Sequence, residues 1–96
     1  MKTLADFKRA LQVGSKWECM HVPTGTNLGF REVAKTKSNG VGFGMPDGRV
    51  SWLYFPKASE IEFDEYGYVR IYALDSYYLG NEEKEERVLL LIYRKV

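Results

Sequence analysis

Between Asp47 and Phe63 the chain reads DGRVSWLYFPKASEIEF, and no other segment restricts the possible folds so strongly. Asp47-Gly48 is a turn dipeptide, because glycine reaches backbone angles that other residues adopt only with strain. Val50 to Phe55 is β-branched and aromatic, the composition that suits a pleated, half-buried strand. Val50, Trp52 and Tyr54 fall on one face of that strand, and Ser51, Leu53 and Phe55 on the other. Apolar groups on both faces predict a central or covered strand, with an N-terminal helix as the cover. Pro56 has no N–H to give a ladder and ends the strand. Lys57-Ala58-Ser59 then predicts one 3₁₀ turn. Glu60 to Asp64 predicts a short strand with Ile61 and Phe63 inward and Glu60, Glu62 and Asp64 facing solvent.

The segments before this stretch supply a helix and three strands. Thr3 to Gln12 predicts a short amphipathic helix with Thr3 as N-cap and Asp6 completing a capping-box variant. Leu4, Phe7 and Leu11 share one face, and Gly14 offers a stop. So short a helix must dock to be stable. Lys16 to Val22 alternates, with Trp17, Cys19 and His21 on one side. After a loop at Pro23, Gly25 and Asn27, Phe30 to Thr36 carries charge on both faces, which predicts a solvated or edge strand. Ser38-Asn39-Gly40 predicts a hairpin turn through the positive φ that Asn-Gly tolerates. In Val41 to Met45, Gly42 and Gly44 strip one face of side chains, as close backbone approach or sheet curvature requires.

Five strands with a late 3₁₀ turn before the fifth follow the order of an SH3-like small barrel, a likeness of architecture alone. Residues 16–64 are therefore expected as barrel-like strands after the helix at 3–12, with a C-terminal strand pair over 68–94 in the same single domain. Tyr68 to Leu74 and Arg87 to Arg94 form that pair. The second of them is apolar on both faces and reads as buried. Asp75 to Glu86 reads as a polar connection with a Gly80-Asn81 turn and the acidic run EEKEE. The expected fold is mainly β: a short helix on a small curved antiparallel sheet or SH3-like barrel, extended by the C-terminal pair.

No catalytic constellation emerges. His21 is the sole histidine and Cys19 the sole cysteine, two residues apart on one strand side. Two ligands do not make a zinc site, and a thiol nucleophile would also need an oxyanion donor and an orienting residue. The carboxylates show no calcium-loop spacing, and NGVGFG lacks the helix and lysine of a phosphate loop. A non-enzymatic protein without cofactor or metal is expected. One cysteine points to a reducing compartment, and no apolar stretch approaches the roughly 18 residues of a membrane span. A cytoplasmic protein that does not enter membranes follows as the expectation.

Binding is the remaining class. A net charge of +1 neither demands nor excludes a polyanion, since a basic face can hide in a balanced total. Tyr66, Tyr68, Arg70, Tyr72, Tyr77 and Tyr78 stand beside the acidic run, and tyrosine gives large contact area at modest entropic cost. They are the candidate surface for a protein partner of unspecified identity. The alternative is a nucleic-acid face of Arg31, Lys35, Lys37 and Arg49, with Trp52 and Tyr54 stacking on bases. A third reading is a homo-oligomer whose C-terminal strands pair between chains, so the oligomeric state stays open.

TLADFKRAL, the Trp17–His21 segment and DGRVSWLYFPKAS together resemble a loose group of small uncharacterised bacterial and phage or mobile-element proteins. The likeness covers about the first two-thirds of the chain. It implies a short single-domain protein with an SH3-like small barrel that acts by binding, and it transfers no functional residue. The leading expectation for the chain is a binding module for a protein partner, a small inhibitor or adaptor encoded by a phage or mobile element.

Overall fold

The computed structural model describes residues 1–96. Helix α1 (Leu4–Ala10) opens on Thr3, whose Oγ1 accepts the Asp6 N–H at 3.2 Å. The Asp6 carboxylate in turn accepts the N–H groups of Thr3 and Lys2 at 3.2 and 3.0 Å, so the expected capping box is complete. Seven residues cannot hold a helix by themselves. Its stability comes from Phe7 and from Leu11 just beyond it, both fully buried.

The strands are β1 (Lys16–His21), β2 (Thr26–Lys37), β3 (Gly40–Gly44), β4 (Val50–Tyr54), β5 (Ile61–Phe63), β6 (Tyr68–Leu79) and β7 (Glu82–Lys95), with a 3₁₀ turn (Ala58–Glu60) before β5. They form one antiparallel seven-stranded sheet in the order β4-β3-β2-β1-β7-β6-β5. The curved-sheet expectation describes this architecture, but the sheet does not close into a barrel, because β4 and β5 stand at its two free ends. β2 explains the shape. Residues 26–32 pair with β1 and residues 33–37 with β3, with a register shift after Val33.

Phe7 is the hub of the core. Its ring meets Trp17 edge-on at 5.5 Å between centroids and also contacts Phe63 and Tyr93, both at 6.3 Å. Tyr93 stacks on Phe43 at 5.7 Å. Cys19, Val33, Val41, Leu53, Ile61, Val69 and Ile71 complete the buried cluster, so it draws on every strand. Only 14 of the 96 residues are buried, because the sheet has one covered face and a single short helix to cover it. Its other face is open and carries Phe30, Trp52, Tyr54 and Tyr68.

Four expectations are corrected. β4, expected to be central, is an edge strand. Leu53 is buried as expected, while Trp52 and Tyr54 lie on the open face. β2, expected at an edge, is internal. The Ser38-Asn39 turn exists but uses no positive φ; Gly40 lies in β3, where a Cβ would collide with the Leu53 carbonyl. Residues 75–86 are not a connection. They continue β6 and β7 as a paired ribbon out to Leu79↔Glu82, closed by Gly80-Asn81 with Gly80 at φ +66° and Asn81 at negative φ. Glycine at the first central position is the signature of a two-residue type II′ hairpin turn.

Candidate interaction surfaces

The ribbon is the most prominent surface feature. Beyond Ala73↔Val88 the β6–β7 pair runs clear of the rest of the sheet, and the molecule measures 48 Å along its longest axis against 30 and 27 Å across. Residues 74–87 are all exposed. Four of them are large apolar or aromatic groups: Tyr78 at 73%, Leu79 at 68%, Leu74 at 48% and Tyr77 at 46% exposure. Cross-strand pairing places Leu74, Ser76 and Tyr78 on one face, with Arg87, Glu85 and Glu83. Asp75, Tyr77 and Leu79 share the other with Glu86, Lys84 and Glu82.

The six tyrosine-side candidates do not form one patch. Tyr66 sits in the turn before β6, and Tyr77 and Tyr78 lie at the far tip, about 30–33 Å from Tyr68 at the rise of an extended strand. Tyr68, Arg70 and Tyr72 do share the open face, where each is engaged by the protein itself. The Arg94 guanidinium lies 5.5 Å over the Tyr68 ring and reaches Glu18 at 3.4 Å. Arg87 lies 4.1 Å over Tyr72. Tyr72 Oη donates to Glu62 Oε2 at 3.0 Å, and Arg87 donates to Glu62 Oε1 at 2.9 Å. The Tyr72 and Arg87 hydrogen bonds hold the Glu62 carboxyl below its ordinary range; loss of solvent, then the hydrogen bond to Glu62, push the Tyr72 hydroxyl up.

Arg70 pairs with Asp64 at 2.8 Å. Asp64 also accepts the Tyr66 and Tyr68 N–H groups at 2.9 and 3.0 Å, which fixes the turn into β6. Desolvation works to raise its pKa, but these backbone donors and Arg70 outweigh it and hold the carboxyl below its usual value.

On the same open face, toward the β4 end of the sheet, four of the six nucleic-acid candidates converge. Lys35, Gly42 and Trp52 stand in one cross-strand row, and Lys37, Gly40 and Tyr54 in the next. The Lys37 ammonium lies 4.0 Å from the Trp52 ring centroid and 4.6 Å from that of Tyr54. Arg31 does not join them. It is the register partner of buried Trp17, on the other face, with Nη1 2.9 Å from Met45 Sδ. Arg49 is held at the β4 entrance by Asp47 at 2.7 Å.

Cys19 is buried, and desolvation raises its thiol pKa. The same cause, followed by the neighbouring Cys19, raises the Tyr93 hydroxyl well above its ordinary value. His21 Nδ1 stands 2.9 Å from Thr24 Oγ1 in the β1–β2 turn. No group of three or more His, Cys, Asp or Glu side chains is placed to hold a metal ion, and no helix is long and apolar enough to cross a membrane.

Residue patterning missed Leu74 and Leu79 as surface groups, and Arg87 and Arg94 as the covers of Tyr72 and Tyr68. The one local signal for the first pair was the Gly80-Asn81 turn dipeptide between two runs of strand length. The second pair has none, because it depends on strand register. No protein-family model, curated protein or solved structure matches the chain.

Proposed function

We propose that this chain is a non-enzymatic binding module, a small inhibitor or adaptor, that engages a protein partner through the distal β6–β7 arm. One observation carries the reading: a two-stranded ribbon with both faces wet and Leu74, Tyr77, Tyr78 and Leu79 exposed along it. An isolated hairpin is marginally stable in water, so an arm of this length gains from a surface that covers it. Exposed apolar groups gathered on one projecting element mark an interaction site rather than random surface. Tyr68, Arg70 and Tyr72 support the arm at its base through Glu62, Asp64 and Arg87, and the partner contact lies further out.

The test is an arm-shortened variant lacking Ser76–Leu79 and Glu82–Glu85. Asp75 and Glu86 then flank Gly80-Asn81 in the same hydrogen-bonding phase as Leu79 and Glu82. The full chain is expected to retain one protein from its own host's extract at fixed stoichiometry, and the shortened chain to lose it. Equal retention by both would reject the arm as the contact.

A second reading rests on the Lys35, Lys37, Trp52 and Tyr54 group: a nucleic-acid face, with phosphates held by the lysines. It predicts affinity that falls steeply with salt and with Lys35→Glu or Lys37→Glu. Arg31 and Arg49 lie outside that group, which leaves it two cations.

A further inference from the structure

We propose that the outer edge of β7 in the arm accepts an extended, lysine- or arginine-rich segment of the partner as an added strand. The proposal rests on the arm being the binding element and names what binds there. β1 accompanies β7 from Trp17↔Lys95 to His21↔Leu91, and the last bond of that ladder runs from Val22 N–H to Leu90 O at 2.8 Å. The chain then turns away through residues 22–25 into β2. From Leu89 to Glu82, β7 continues with β6 on one side and an empty lane on the other, in line with β1.

Alternation decides which groups face that lane. A two-residue turn closes on a pair that exchanges both hydrogen bonds, here Leu79 and Glu82. Lys84 and Glu86 therefore also bond to β6, and the N–H and C=O groups of Glu83, Glu85 and Arg87 point outward. These are the donors and acceptors that strand addition uses.

The side chains on this edge select the occupant. Glu83 and Glu85 lie on one face and Glu82 and Glu86 on the other, with Lys84 bound to Glu82 at 2.9 Å. Opposite charges across a strand pair stabilise it and like charges oppose it. A second copy of β7 would set glutamates against glutamates, so the row that favours a cationic strand also prevents arm-to-arm pairing. The charge is local. Residues 74–87 hold five carboxylates and two cations, a net −3, which leaves +4 on the rest of a +1 chain. The β6 edge, with Leu74, Ser76 and Tyr78 directed outward, has no comparable row.

The experiment is residue-resolved amide exchange on the full chain with a synthetic nine-residue peptide alternating lysine and threonine, against a matched glutamate–threonine peptide. The lysine peptide is expected to slow exchange at Glu83, Glu85 and Arg87 by about tenfold or more, with less change at Glu82, Lys84 and Glu86. Raising salt should reverse the effect, and the glutamate peptide should leave those amides unchanged. Shifts without protection of the three amides, protection by both peptides, or no response to either would overturn the proposal. So would a sedimenting dimer in which the same amides are already protected without peptide, since the occupant would then be a second copy. Glu83→Lys with Glu85→Lys separates this claim from the one beneath it. Partner capture that survives charge reversal but not arm shortening ends strand addition and leaves the arm reading standing, whereas capture that survives both ends the two together.

Discussion

Trp52 covers Gly42, its register partner across β3 and β4: ring atoms Cε3 and Cη2 both stand 3.5 Å from the point a Gly42 Cβ would occupy. An aromatic ring laid over a strand glycine fills the surface that the missing side chain leaves. That same Cβ would also overlap Val50 Cγ1. Gly42→Ala is therefore expected to destabilise the domain by about 1–3 kcal/mol, through displacement of Val50 and Trp52. At Gly40 the obstacle is the Leu53 backbone carbonyl, which cannot rotate aside, so Gly40→Ala should cost more. Urea midpoints of the two variants check the order, and the reverse order would refute close approach as the reason for these glycines.

Helix docking rests on Phe7, which contacts Trp17, Phe63 and Tyr93. Phe7→Ala should cost about 3–5 kcal/mol, the range for truncating a buried aromatic. Thr3→Ala removes the Asp6 N–H acceptor and should cost about 1 kcal/mol. Denaturation followed by tryptophan fluorescence measures both. A Phe7→Ala cost no larger than that of Thr3→Ala would mean that the helix is an ornament on a sheet stable without it.

The local features were legible in the residues and the lateral ones were not. Thr3 with Asp6, the alternation of Trp17 and Cys19, the turn at Gly80-Asn81 and the burial of Leu53 are all set within a few residues. β4 and β2 were exchanged between centre and edge for a physical reason. Side-chain pattern reports what lies above and below a strand, whereas position in the sheet depends on backbone partners in its plane. The arm was hidden differently: a ribbon wet on both faces needs no apolar period, so Glu82 to Glu86 reads as a loop until its pairing with Leu79 to Asp75 is known. The covers of Tyr68 and Tyr72 come from Arg94 and Arg87, across β6↔β7 register that no local pattern encodes.

Acid should loosen the turn into β6. Asp64 accepts from Tyr66, Tyr68 and Arg70, and its folded pKa lies below the unfolded value of about 3.9. A depressed carboxylate contributes stability that is complete above the unfolded value and disappears as pH falls through the folded one. Exchange at the Tyr66 and Tyr68 amides should be insensitive to this group above about pH 5 and accelerate, relative to intrinsic rates, as pH drops below about 4. Asp64→Asn should remove that acid step. A step that persists unchanged in Asp64→Asn would assign it to another carboxylate, with Glu62 the next to examine through its bonds to Tyr72 and Arg87.

The Lys37 ammonium occupies the ring surface that a stacked base would need. Cation–π contacts at exposed sites contribute about 0.5–1 kcal/mol, so Lys37→Ala should lower stability by roughly that amount and make Trp52 more accessible to acrylamide. Trp17 is buried and should not respond. For the wild-type chain, single-stranded oligonucleotides are expected to bind weakly at low salt, through Lys35 and Lys37, and to leave Trp52 emission unquenched. A base that stacks on Trp52 must first displace Lys37, which removes a favourable contact and one of the two cations that would hold the phosphate. Strong, saturable quenching of Trp52 that is lost in Lys35→Glu would show that this displacement occurs and would place nucleic-acid binding ahead of the protein partner.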